Sequence, residues 1–192
     1  MQPPFDFRTM SADQLREVFN RDDNKELMTQ NNPGQVPVPE YLPLFVYGTL
    51  MPGFGNFDRL LKGNFTTTAS ATVTGFQMLD LGAFPMVVLA RSTNTIRGVM
   101  IYVKRTEFEK VLKSLDQLEG YPTFYDRVIV RARAMVKDPQ KEGAYLYQDT
   151  DCYMYAAPHG TEEEYKKLYP VVAGGSWMGR ISNKGAQQVI NE

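Results

Sequence analysis

Hydrophobic positions in this 192-residue chain fall into short runs broken by glycine and proline, with one longer helical pattern in the middle. The apolar run Leu44-Phe45-Val46-Tyr47 stops at Gly48 and predicts a buried strand. Phe57–Leu61 reads as a short helix. Residues 65–74 are rich in Thr and Ala, with enough alternation to predict a strand. Two more strands are expected over 76–80 and 85–90, separated by Gly82 and Pro85, and a further one from Ile96 to Val103. Thr106 to Glu119 is the clearest helix: Phe108, Val111, Leu112, Leu115 and Leu118 recur at helical spacing, and Gly120 and Pro122 supply stop signals. Thr106 and Glu109 have the spacing of a capping box. From Tyr125 to Val136 the period returns to two. Val128, Val130, Ala132, Ala134 and Val136 share one side, with Arg127, Arg131 and Arg133 on the other. Cys152 to Ala156 predicts another strand, Thr161 to Leu168 a helix, and the remaining tail is Gly-rich and polar.

Many strands with few helices argue for a mixed α+β domain, with a closed barrel as the arrangement that removes exposed sheet edges. Residues 1–40 read differently. Ser11-Ala12-Asp13-Gln14 has the form of a helix cap ahead of Leu15, Val18 and Phe19, and a polar, Pro- and Gly-containing stretch follows. The expected organisation is an N-terminal arm or linker over 1–40, a single compact domain over 41–170 and a C-terminal tail over 171–192. The arm is too short for a core of its own.

Charge and composition narrow the function. The formal net charge of -1 lacks the basic excess of a protein that neutralises many phosphates, so nucleic acid is not an expected partner. No segment approaches the roughly 20 apolar residues of a membrane span. The single cysteine, Cys152, leaves no intrachain disulfide, which fits a reducing compartment. With no basic-then-apolar leader at the start, a cytoplasmic location is expected.

Two features carry candidate chemistry. Glu119 lies four residues beyond Leu115 and seven beyond Leu112, so its carboxylate points with the apolar stripe. Desolvation there, together with the partial negative charge of the helix C-terminus, raises a carboxyl pKa towards the range useful for general acid–base catalysis. The alternative is a frayed final residue turned back to solvent. The second feature is Tyr47-Gly48-Thr49-Leu50-Met51-Pro52-Gly53-Phe54-Gly55-Asn56. A strand that breaks into such a turn either aims several main-chain N–H groups at one point, as an anion-binding nest, or simply connects strand to helix. It is neither a P-loop nor a dinucleotide fingerprint, because the Lys and the third Gly are absent. The one histidine, His159, beside Pro158, is expected in a loop, and Cys152 as a small buried residue. His and Cys together offer at most two zinc ligands, so neither metal nor cofactor is expected. Trp177, in Gly174-Gly175-Ser176-Trp177, is expected to anchor the tail by packing.

Taken in order, these segments resemble the γ-glutamylcyclotransferase-like family, which includes γ-glutamylamine cyclotransferases and the avirulence-induced-gene-like proteins. The residues that carry the resemblance are Tyr47-Gly48-Thr49-Leu50 with Gly53 and Asn56, Gly82-Ala83-Phe84-Pro85, a strand led by Gly98, Leu115-Asp116-Gln117-Leu118-Glu119, and Tyr125-Asp126-Arg127. They span roughly residues 44–156. The stretch of some forty residues ahead of the Tyr47 strand departs from the family's usual start, and Gly175-Ser176-Trp177 stands where many relatives have Gly-Asp-Trp. The resemblance implies a compact mixed parallel and antiparallel β-barrel flanked by helices, with the pocket between the 47–50 loop and Glu119. It implies a cyclotransferase that cleaves γ-glutamyl amides, of amines or amino acids, by attack of the substrate's own α-amine, releasing 5-oxoproline and a free amine. Glu119 is then the catalytic proton shuttle, and Tyr47, Gly48, Thr49, Leu50 and Tyr125 bind the small-molecule γ-glutamyl substrate, the two tyrosines as pocket walls or hydroxyl donors. A non-catalytic binding module or sensor for the same class of ligand is the competing reading. The leaving amine and the oligomeric state are not specified by these motifs.

Overall fold

A computed structural model of the protein describes residues 41–180. The helix anticipated after Ser11 and the rest of the arm over 1–40 lie outside the described residues, as does the tail beyond residue 180. In chain order the elements are β1 (Leu44–Val46), α1 (Gly55–Leu60), β2 (Phe65–Thr74), β3 (Phe76–Asp80), β4 (Pro85–Leu89), β5 (Thr95–Val103), α2 (Phe108–Glu119), β6 (Asp126–Lys137), β7 (Tyr145–Ala156) and α3 (Glu162–Leu168).

Five strands close into a barrel in the order β1-β5-β2-β6-β7, and β3 and β4 form a separate two-stranded hairpin. Four of the barrel's neighbour pairs are antiparallel; β1 and β7 close it in parallel at Leu44 and Tyr153. The expected mixed barrel flanked by helices is therefore the observed fold. Strand β1 is buried at all three residues, which explains why it reads as a continuous apolar run and not as an alternating one. Closure brings β1 so near β5 that Gly98 has no room for a side chain: a Cβ there would fall 2.3 Å from the Val46 carbonyl oxygen.

Strands β6 and β7 pair over twelve residues, from Asp126 opposite Ala156 to Lys137 opposite Tyr145. The first half of β7 was not anticipated, because residues 145–151 are mostly exposed and polar and lack an apolar pattern. Their strand state comes from pairing with β6. On the outward face Arg131 stands opposite Asp151 and Arg133 opposite Asp149, with the paired groups 3.7 and 3.2 Å apart. This is the solvated charged face anticipated for the strand. Arg127 departs from it: it is paired with Asp116 of α2, and its side chain is only 14% exposed.

Helix α2 buries Phe108, Val111, Leu112 and Leu115 against the barrel. It begins two residues later than expected. Arg105–Glu107 form a 3-10 turn, Glu107 occupies the cap position, and no side chain caps the helix. The capping box expected from Thr106 and Glu109 does not form, because Thr106 lies inside the 3-10 turn and not ahead of the first free amides.

Residues beyond 170 are fastened to the β3–β4 hairpin. Val172 N–H donates to the Met78 carbonyl at 2.9 Å, Asp80 N–H donates to the Pro170 carbonyl at 2.9 Å, and Val171 bridges Leu79. Trp177 is 2% exposed, with the Arg180 guanidinium 4.3 Å from its ring centroid. Arg180 in turn holds Asp80 through two N–H···O contacts of 2.8 and 2.9 Å. Trp177 thus packs as anticipated, and the Arg180–Asp80 pair fixes the hairpin that carries residues 81–85.

Candidate active site

The end of α2 sets the position of Glu119. Gly120 takes the left-handed conformation (φ 63°), its N–H reaches the Gln117 carbonyl, and Tyr121 N–H donates to the Asp116 carbonyl at 2.9 Å. This paired closure is the Schellman arrangement, and it holds the final helical turn against fraying. Glu119 is partly buried, and among the described residues its carboxylate has no hydrogen-bond or ion-pair partner. Burial alone raises its pKa from 4.5 to about 7. Of the two readings open from periodicity, the structure places Glu119 in the desolvated one.

The loop after β1 forms the opposite wall. Met51 N–H closes a turn on the Gly48 carbonyl at 3.0 Å, and Asn56 at the start of α1 donates its side-chain amide to Thr49 Oγ1 at 3.1 Å. Gly48 and Leu50 are buried, yet among the described residues no acceptor takes the main-chain N–H of Gly48, Thr49 or Leu50. Three successive uncommitted donors in one turn make a concavity suited to an anion or a developing oxyanion. Gly48 is required here by close approach, since a Cβ on it would lie 2.7 Å from Pro85 Cγ.

Between these walls lies a cavity of about 380 Å³, within the range of roughly 300–1,000 Å³ usual for small-ligand clefts. Tyr47, Gly48, Thr49, Leu50, Glu119 and Tyr125 all line it. Every site residue singled out in the sequence is thus brought to one cavity. Tyr47 donates its hydroxyl to the Tyr155 carbonyl at 2.7 Å, and Tyr125 donates to the Pro85 carbonyl at 2.8 Å. Both hydroxyl protons are therefore committed to main-chain acceptors; what the rings offer the cavity is surface and oxygen lone pairs. Burial first, with the charge of Glu119 adding to it, pushes both phenol pKa values upward, so they stay protonated across the neutral range.

Behind Glu119 is a polar network that sequence reasoning missed. Tyr155, another lining residue, donates to Asp116 Oδ1 at 2.7 Å, while Asp116 Oδ2 pairs with Arg127. The Arg127 guanidinium also lies 4.9 Å from the Tyr121 ring centroid and 5.1 Å from that of Tyr153. Burial disfavours the Arg127 charge, and Asp116 more than offsets this. Asp116 is three residues before Glu119, on the same helix face, which was a usable signal. Nothing local marks Tyr155, because its place depends on the long-range pairing of β7.

The demoted candidates lie elsewhere. His159 Nδ1 is 3.2 Å from Glu162 Oε1 in the turn before α3. Cys152 is buried and hydrogen-bonded through Sγ to the Val130 carbonyl, and burial pushes its thiol up to about 12. Among the described residues no three His, Cys, Asp or Glu side chains gather as a metal-ligand set, and no helix is long and apolar enough to cross a membrane.

Comparison with known proteins places this arrangement. The chain is 34% identical over 105 residues to a protein of Methanocaldococcus jannaschii provisionally named a gamma-glutamylcyclotransferase, covering 54% of this chain and 81% of the relative. Among solved structures, a mouse AIG2-like protein superposes with a TM-score of 0.51 at 19% identity, covering 71% of this chain and 87% of that one. An Arabidopsis thaliana protein, At3g28950.1, superposes with a TM-score of 0.50 at 19% identity, covering 80% of this chain and 82% of that one. At these identities the structural likeness speaks for the fold. The sequence model described as "Gamma-glutamyl cyclotransferase, AIG2-like" matches residues 44–179, from the first barrel strand to beyond Trp177. On that match the chain is a cyclotransferase-type enzyme and belongs to the gamma-glutamyl cyclotransferase, AIG2-like family.

Proposed function

We propose that this enzyme cleaves γ-glutamyl amides by intramolecular cyclisation, releasing 5-oxoproline and a free amine. The observation that carries the reading is a partly buried, unpaired carboxyl of pKa about 7 sharing one cavity with a turn whose main-chain N–H groups are uncommitted.

In this mechanism the γ-glutamyl group binds with its α-carboxylate and γ-carbonyl against the 47–50 turn. Ionised Glu119 takes a proton from the α-ammonium, whose nitrogen then attacks the γ-carbonyl carbon. Main-chain N–H groups of Gly48, Thr49 and Leu50 stabilise the oxyanion, each such donor being worth roughly 3–4 kcal/mol. Protonated Glu119 passes its proton to the amide nitrogen as the C–N bond breaks. The excess proton on the ring nitrogen leaves through the same carboxylate and departs with the product amine. Nucleophile and electrophile belong to one molecule, so the cavity's main task is to hold the curled rotamer. Well-oriented intramolecular attack supplies about 7–11 kcal/mol of barrier lowering, and acid–base help adds roughly 10²–10⁴ in rate. Tyr47 and Tyr125 serve as walls whose hydroxyl oxygens accept from the ammonium.

A carboxyl poised near pH 7 is matched to both halves of this proton relay, whereas a pure binding site has no use for an unpaired acid beside its ligand. Incubating the protein with a panel of γ-glutamyl amides and following 5-oxoproline by mass spectrometry tests the reading. Time-dependent release from at least one amide is expected. Tight binding with no release supports the binding-module alternative and overturns the proposal.

A further inference from the structure

The cavity is not uniform. The turn residues Gly48 and Leu50, with Tyr47, Pro85 and Tyr125, are buried and form its floor. Ala83, Phe84 and Phe124 also line it, but Ala83 is exposed and Phe124 is 41% exposed, so they form its mouth. The two phenylalanines come from different segments, the β3–β4 turn and the loop after α2. They meet edge to face with ring centroids 6.1 Å apart, and Phe124 is stacked edge-on against Tyr125 at 5.1 Å. Large aromatic side chains left partly exposed on a cavity rim, Phe124 more than Phe84, mark a surface that a ligand covers.

The charge lining is as informative. Among the described residues that line the cavity, Glu119 alone carries a formal charge; none of them is Lys or Arg. Arg59 donates to Oδ1 of the lining residue Asn56 at 3.1 Å, and Arg127 is paired with Asp116, which lies behind the lining residue Tyr155. The substrate's α-carboxylate is met by the main-chain donors of the turn. A second carboxylate, of the kind every amino-acid leaving group carries next to the scissile nitrogen, would face Glu119 with no cation among the described lining residues to offset it.

We infer that Phe84 and Phe124 form the leaving-group subsite, and that the amine expelled is an apolar monoamine without a carboxylate, aromatic or long-alkyl in its side chain. The inference rests on the cyclotransferase reading above and decides what that reading leaves open. Three amides that differ by one feature each test it: γ-glutamyl-phenethylamide, γ-glutamyl-phenylalanine, which adds a carboxylate, and γ-glutamyl-methylamide, which lacks the ring. The expected order of kcat/KM puts the phenethylamide above the methylamide by roughly 10- to 100-fold. It also puts the phenethylamide above the phenylalanine conjugate by roughly 10-fold or more. Phe84→Ala and Phe124→Ala should each reduce the phenethylamide-to-methylamide ratio. A ratio within one preparation is unchanged by loss of folded protein, which scales both rates alike. Equal rates for the phenylalanine and phenethylamide conjugates, or a ratio that survives both substitutions, overturns the subsite while 5-oxoproline release upholds the cyclotransferase. No 5-oxoproline from any of the three overturns both.

Discussion

Gly48 and Pro85 touch across the wall of the cavity so closely that a single added carbon on Gly48 would lie 2.7 Å from Pro85 Cγ and 2.9 Å from Cδ. The contact joins the turn that presents the free main-chain donors to the hairpin that presents Phe84. Gly48→Ala must therefore push these two segments apart. The expected cost is about 1–3 kcal/mol of stability, as for other overpacked sites. A loss of kcat/KM on the order of 10²-fold is also expected, because a displacement of about 1 Å misaligns the reacting groups. Urea denaturation and the rate of 5-oxoproline release measure the two effects. A variant close to wild type in both would show that the turn tolerates movement.

Asp116 supports the wall behind Glu119 by accepting from Tyr155 and neutralising Arg127. Asp116→Asn keeps the size of the side chain and removes the charge. The Arg127 cation, held under α2, then loses its counter-charge, and stability should fall by about 1–3 kcal/mol. Full burial would cost more, but the side chains of the pair are 14% and 24% exposed and solvent screens part of the loss. Double-mutant analysis with Arg127→Gln checks this: the two effects should be far from additive.

How Glu119 titrates has a consequence for stability. Its folded pKa is about 7 against 4.5 for the free side chain, so between these values the folded protein binds more protons than the unfolded chain. Stability contributed by this group is present in full below pH 4.5 and is lost as pH rises through 7. Glu119→Gln removes that dependence. The variant should gain on wild type as pH is raised from 5 to 8, by roughly 2–3 kcal/mol at the upper end. Thermal melts of both proteins across this range measure it; a constant difference would mean the carboxyl is not desolvated.

The same carboxyl sets the pH dependence of the proposed reaction. The free enzyme must hold Glu119 ionised to accept the ammonium proton, so kcat/KM should rise with pH and level off above an apparent pKa near 7. A rate already level at pH 5 would assign the base to another group.

Much of this arrangement was legible in the residues. Strand β2 was readable to its ends because Thr and Ala alternate between turn signals at both sides, and the facing of Glu119 followed from Leu112 and Leu115 one and two turns earlier. What stayed hidden depends on residues distant in sequence. The exposed half of β7 is a strand only because β6 pairs with it, and the same register carries Tyr155 to Asp116. Arg127 shares the strand face of Arg131 and Arg133, yet α2 covers it, and a period-two pattern does not reveal which part of a face a helix will cross. The commitment of the Tyr47 and Tyr125 hydroxyls to carbonyls 108 and 40 residues away is likewise a property of the closed fold. Thr106 shows the reverse error: a correct local capping pattern was overridden by a 3-10 entry to the helix.

The most direct test of the central claim is the rate of 5-oxoproline formation by wild type and Glu119→Gln on the same γ-glutamyl amide, with folding of the variant verified by its melt. Loss of the proton shuttle should lower the rate by roughly 10²–10⁴ while the substrate still binds. A folded Glu119→Gln enzyme that retains most of the wild-type rate would contradict the account.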